Sequence, residues 1–129
     1  YRSRMIPAQT WSFEQISEYA RSFVDETDRK VVLNFAIAQG VKVDPDLVAQ
    51  VFDRESCIVK LTPLNPTSAS LRAGLTSSFS PHSPAQGDEL ARRFRAIGFD
   101  CIVSMGLPVE SEKGTSCGQL ALLSAAPKL

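Results

Sequence analysis

Phe13, Ile16, Ala20 and Phe23 recur at the spacing of one helical face, with polar residues between them. The pattern predicts a helix that begins near Trp11 and ends near Thr27. Thr10 or Ser12 offers an N-cap, and Glu14 or Gln15 a capping box. The period then changes. Val31-Val32-Leu33-Asn34-Phe35-Ala36-Ile37-Ala38 is nearly continuous in apolar residues. That predicts a strand, buried on both faces as in a parallel sheet. Gly40 breaks it. Asp44-Pro45 is an N-cap followed by a first-turn proline, and Leu47, Val48, Val51 and Phe52 form the apolar face of a short second helix. Cys57-Ile58-Val59-Lys60-Leu61-Thr62 reads as a second strand, stopped by Pro63.

Residues 64–86 are rich in Ser, Pro and Thr and have no steady period. A loop this long in a compact domain is usually functional or disordered. A third helix is expected from Gln86. Leu90, Phe94 and Ile97 share its apolar face, Arg92, Arg93 and Arg95 lie mostly off it, and Gly98 suits the C-cap. Phe99 to Val103 reads as a third strand. A Gly-containing loop then leads to Gly118–Ser124, whose pattern fits a short helix or a strand. There is no internal repeat and no domain boundary, so residues 1–129 read as a single unit. Helices alternating with strands argue for an α/β fold with right-handed parallel crossovers. Three strands are few for a closed structure, and the chain starts with a helix, as if cut just after a strand of a larger barrel.

Composition narrows the class. A chain of 129 residues is long enough to bury a real core. Hydrophobic content of 43% and charged content of 22% fit neither a disordered nor a membranous chain. No apolar run reaches the length of a membrane span, so no membrane partner is expected, and no signal peptide is visible. Fourteen basic and fourteen acidic side chains cancel. An RNA binder usually carries a basic excess, so any pull on RNA has to come from a local patch or from residues beyond this chain. The cysteines are Cys57, Cys101 and Cys117, with no CxxC pair and no zinc or haem spacing. Scattered thiols without a secretion signal point to a reducing, cytoplasmic location. Cys57 and Cys101 sit in apolar runs and read as core residues.

Two positions carry candidate chemistry. Asn65 follows the second strand, and parallel α/β sheets bind ligands beyond the carboxyl ends of their strands. Its amide both donates and accepts hydrogen bonds, which suits an adenine or an amino-acid end. Asn-Pro is equally common as turn punctuation. Cys117 lies in the polar, glycine-flanked run Gly114-Thr115-Ser116-Cys117-Gly118. It reads either as an accessible, reactive thiol or as an incidental loop cysteine. No histidine or paired base stands near it in sequence, and His82 in the Ser-Pro loop reads as solvated. Lys60 and Thr62 share one strand face, as do Asn34, Ala36 and Ala38. Such a face lines a cavity in a barrel or is simply an exposed sheet surface. Arg92, Arg93 and Arg95 form either a phosphate-facing patch or a solvated helix face.

Leu61-Thr62-Pro63-Leu64-Asn65-Pro66-Thr67 and Thr115-Ser116-Cys117-Gly118-Gln119-Leu120 occur in that order. They resemble the C-terminal portion of the radical-SAM adenosine C2 methyltransferases that modify ribosomal and transfer RNA. The resemblance extends through Arg4–Pro7, Arg29–Ala36 with Gly40-Val41, Ile58–Pro66 and Leu90–Val103, over most of the chain. It implies the C-terminal section of a partial (β/α) barrel, with mainly parallel strands and crossover helices. It implies S-adenosylmethionine and a [4Fe-4S] cluster in the intact protein. For Asn65 it implies a contact to S-adenosylmethionine, and for Cys117 the role of methyl-accepting cysteine. A thiolate there takes a methyl group by ordinary substitution, and a radical formed on that methyl then adds to C2 of adenosine.

The cluster-binding motif CxxxCxxC is absent from this sequence. The chain is therefore not expected to hold the cluster or to act alone, and its implied partner is a missing N-terminal part of the same polypeptide. Met105-Gly106-Leu107-Pro108-Val109-Glu110 lacks the Arg and Asp typical of the family, and Ala121-Leu122-Leu123 stands where the family turns through glycine. The acceptor stays open between an RNA adenosine and a related acceptor. The rival reading is a non-catalytic α/β association module. On either reading, exposed sheet edges and an apolar face favour self-association of the isolated piece.

Overall fold

The computed structural model describes residues 9–64, 72–79 and 83–105. Helix α1 spans Phe13–Thr27. Ser12 is its N-cap, and a full capping box joins the Ser12 side chain to the Gln15 backbone and the Gln15 side chain to the Ser12 N–H. This satisfies two of the donors that a helix start leaves orphaned. Trp11 precedes the helix instead of opening it. Asp28 closes it in the left-handed conformation, with its N–H on the Val24 carbonyl.

Strand β1 (Val31–Ile37), helix α2 (Pro45–Val51), strand β2 (Cys57–Pro63), helix α3 (Ala85–Ile97) and strand β3 (Asp100–Val103) follow. Asp44 caps α2 through the Asp46 N–H, and Pro45 occupies the first turn, where its missing N–H costs nothing. Gly98 ends α3 at φ +112°, and its N–H reaches the carbonyls of Arg95 and Phe94. A side chain at that φ would be strained.

The three strands form one parallel sheet in the order β1-β2-β3. Leu33, Val59 and Cys101 stand in one lateral row, and Phe35, Leu61 and Val103 in the next. These rows join Ala20 of α1 and Ala91 and Phe94 of α3 in a single core. The Phe94 ring stacks on Phe35 and meets Phe99 edge-on. The Ser17 hydroxyl donates to the Val51 carbonyl at 2.6 Å, tying α1 to the end of α2. Cys57 and Cys101 are buried free thiols within this core. Burial is the first cause pushing both thiol pKa values up.

The opposite face departs from the sequence expectation of burial on both sides. Val32 and Ile102 point to it and are each 50% exposed. The described helices pack on the other face only, so the apolar run of β1 is buried along alternate positions. Leu47 departs as well. It is 59% exposed, because α2, about two turns long, aims Val48, Val51 and the following Phe52 inward instead.

Candidate functional site at the open end of the sheet

Every second residue of each strand reaches the open face. Val32, Ile58 and Asp100 form its lowest row, Asn34, Lys60 and Ile102 the next. Ala36 and Thr62 pair above them, and the Ser104 N–H extends the ladder to the Leu61 carbonyl. The face thus changes character along the strands, from the branched side chains of Val32 and Ile58 beside Asp100 at the amino ends to small and polar residues at the carboxyl ends. Parallel sheets hold ligands at those carboxyl ends.

The Thr62 hydroxyl donates to Asn34 Oδ1 at 3.1 Å, with the Phe35 carbonyl further off at 3.4 Å. This bond fixes the Asn34 amide with its NH2 group left as donor. Lys60 lies beside it on the central strand, half-buried. Its Nζ makes no hydrogen bond or ion pair among the described residues. The nearest acidic side chain on this face, Asp100, pairs with Lys30 at 3.3 Å, at the far end of the sheet.

The segment after the long loop closes one rim of the site. Ala38 and Ser77 form an antiparallel bridge. The Gln39 N–H donates to the Thr76 carbonyl at 2.6 Å, and the Thr76 hydroxyl to Gln39 Oε1 at 2.9 Å. Ser77 Oγ accepts the Leu64 N–H at 3.2 Å and lies 2.6 Å from the Phe79 carbonyl and 3.3 Å from that of Ile37. One hydroxyl therefore joins the carboxyl ends of β1 and β2. Phe79 then buries its ring in the core. Sequence reading missed this junction. The signal available was a lone aromatic, Phe79, in an otherwise polar stretch.

The three arginines of α3 are engaged within the molecule and do not form a free patch. Arg92 pairs with Glu89 one turn back. Arg93 stands 3.9 Å from Asp44. Arg95 donates to the Cys101 carbonyl at 2.7 Å. A hollow of about 300 Å³ beside α3, lined by Ala85, Gln86, Glu89, Leu90 and Arg93, includes no residue of the open face.

Asn65, Cys117 and His82 lie outside the described residues. Strand β2 delivers the chain to Asn65, ending two residues before it. Among the described residues no group of three or more His, Cys, Asp or Glu side chains is placed to hold a metal ion. No helix among them is long and apolar enough to cross a membrane.

Parallel strands with crossover helices on one side and an open opposite face define a section of a partial (β/α) barrel. The comparisons agree. The chain is 30% identical over 129 residues to the "probable dual-specificity RNA methyltransferase RlmN" of Saccharopolyspora erythraea, covering 93% of this chain and 32% of the relative. The protein of the same description from Mycolicibacterium vanbaalenii is 32% identical over the same shares. The "ribosomal RNA large subunit methyltransferase N" of Nitrosopumilus maritimus is 28% identical, over 92% of this chain and 32% of its own length. The crystal structure of a radical SAM methyltransferase from Sphaerobacter thermophilus superposes with a TM-score of 0.65 and 26% identity, over 79% of this chain and 28% of that one. No protein-family model matches. The chain thus resembles the C-terminal part of the radical SAM RNA methyltransferases, and it spans about a third of the length of the relatives it matches.

Proposed function

We propose that this chain is the C-terminal section of a radical SAM methyltransferase-like enzyme that uses S-adenosylmethionine and acts on an RNA adenosine or a related acceptor. One observation carries the reading: similarity over nine-tenths of the chain falls on the C-terminal part of RNA methyltransferases, and the fold is the matching barrel section. The open sheet face then forms part of the barrel interior, and Val32 and Ile102 are covered by the remainder of the polypeptide. Scattered thiols, two of them free in the core, favour a reducing compartment.

This chain's own residues do not fit a [4Fe-4S] cluster. CxxxCxxC is missing from the sequence, and the described residues offer no cluster of ligands. The cluster belongs to the N-terminal part implied by the relatives. What this chain supplies is the acceptor thiol and part of the S-adenosylmethionine pocket. Cys117, as thiolate, attacks the methyl carbon of the sulfonium. A sulfur–carbon bond forms, the old sulfonium bond breaks with its electron pair, and S-adenosylhomocysteine leaves. The thiolate charge cancels the sulfonium charge, so the step is favoured in a site poor in water. Asn65, two residues beyond the end of β2 in the sequence, holds S-adenosylmethionine in reach.

The test uses the full-length, cluster-loaded protein. Cys117→Ala is expected to abolish methyl transfer while leaving the iron–sulfur chromophore and the reductive cleavage of S-adenosylmethionine intact. Transfer that survives this change rules out the acceptor role.

A further inference from the structure

Lys60 is the one positively charged side chain among the described residues of the central strand, and it stands at mid-length on the open face. Its neighbours there are Ile58 and Thr62 along the strand, Asn34 on β1 and Ile102 on β3. An ammonium half-buried against two isoleucines lacks the hydration it has at a free surface and gains from an anion. Asp100 does not supply one, being paired with Lys30. The Asn34 amide, held through its oxygen by Thr62, presents N–H donors one strand away, about 4.8 Å across. Two donors on adjacent strands match the two oxygens of a carboxylate. Towards the carboxyl ends the side chains shrink to Ala36, Thr62 and Ser104. That leaves room for the rest of a molecule to extend toward the rim.

We propose that Lys60, with the Asn34 amide as second donor, binds the carboxylate of the amino-acid end of S-adenosylmethionine. This assignment rests on the radical SAM reading above. A phosphate of RNA fits the same face less well. Nucleic-acid sites gather several cations along the backbone track, whereas Lys60 is the one cation among the described strand residues, beside Ile58 and Ile102 in a chain of zero net charge, and Lys30 at the far end is paired with Asp100.

Equilibrium dialysis of the full-length protein against S-adenosylmethionine and its decarboxylated analogue tests the assignment. Wild type is expected to prefer the carboxylate-bearing form. Lys60→Met should cut that preference roughly 10- to 100-fold, the loss expected for a hydrogen bond between charged groups. It should leave affinity for the decarboxylated analogue nearly unchanged, while Lys60→Arg should keep most of the preference. An unchanged preference in Lys60→Met overturns the proposal. So does a variant whose RNA binding weakens while its preference holds, since that assigns Lys60 to a phosphate. So does an equal loss of both nucleosides with a lower melting temperature, since Lys60 then neutralises an acid elsewhere in the barrel. A wild-type protein that binds neither nucleoside defeats the radical SAM reading itself, and the assignment with it.

Discussion

The Phe79 ring lies so close over Gly87 that a Cβ at position 87 would stand 2.8 Å from its Cδ2 and 2.9 Å from its Cε2. Glycine in the first turn of α3 is costly for the helix, by about 1 kcal/mol against alanine. The contact explains it. The ring can reach the core only across a bare backbone, and this reach pins residues 76–79 against the rim of the site.

Gly87→Ala therefore sets two effects in opposition. Helix propensity gains up to about 1 kcal/mol, and overpacking against an aromatic ring costs about 1–3 kcal/mol. The expected result is a net loss of stability in urea unfolding. Adding Phe79→Leu should recover part of it, giving a coupling energy of at least about 0.5 kcal/mol in a double-mutant cycle. A Gly87→Ala protein more stable than wild type would mean that the ring moves aside freely.

Ser77 is the second fastening of the same segment. Ser77→Ala removes the acceptor of the Leu64 N–H and the donor to the Phe79 and Ile37 carbonyls. Only one of those two carbonyls receives the proton at a time, and Phe79, at 2.6 Å, is the nearer. The expected cost is about 1–2 kcal/mol. Amide exchange should rise at Leu64 more than at Gln39, whose bond to the Thr76 carbonyl does not involve the lost hydroxyl. Equal protection of both amides in variant and wild type would show that the hydroxyl does not hold the strand ends together.

What could be read in the sequence was what local chemistry decides. Ser12 with Gln15, Asp44 with Pro45 and Gly98 are cap signals that act within one turn, and each stands where its chemistry demands. Cys57 and Cys101 were legible as core because their neighbours are apolar. The open face of β1 was not, because it depends on which side the helices take. The exposure of Leu47 was hidden for the same reason. Pairing of Asn34 with Thr62 needed the parallel register, which no stretch of one strand contains. The Ser77 junction joins residues 13 and 40 positions apart, so nothing local announces it. Of the two residues first singled out for chemistry, neither lies within the described part. The face that leads to Asn65 does, and period-two alternation had already placed Asn34, Lys60 and Thr62 on cavity-lining or exposed faces.

The two core thiols make the fold sensitive to alkali. Burial is the main cause holding the Cys57 thiol above its ordinary range. The Asp53 carboxylate adds to this, and Arg21 and Lys30 pull the other way. Burial raises Cys101 likewise, against a smaller opposing pull from Arg95. In the unfolded chain both thiols lose their protons from about pH 8.5, while in the folded chain they keep them to higher pH. The unfolded state then binds fewer protons, so stability is fully present below that pH and falls as pH rises through the folded values. Replacing both with Cys57→Ala and Cys101→Ala should cost about 1–2 kcal/mol of buried apolar contact at pH 7. It should also flatten the decline in stability between pH 8 and pH 10. Urea midpoints across that range separate the two effects. If wild type and double variant lose stability in parallel, the buried thiols do not govern the alkaline limb.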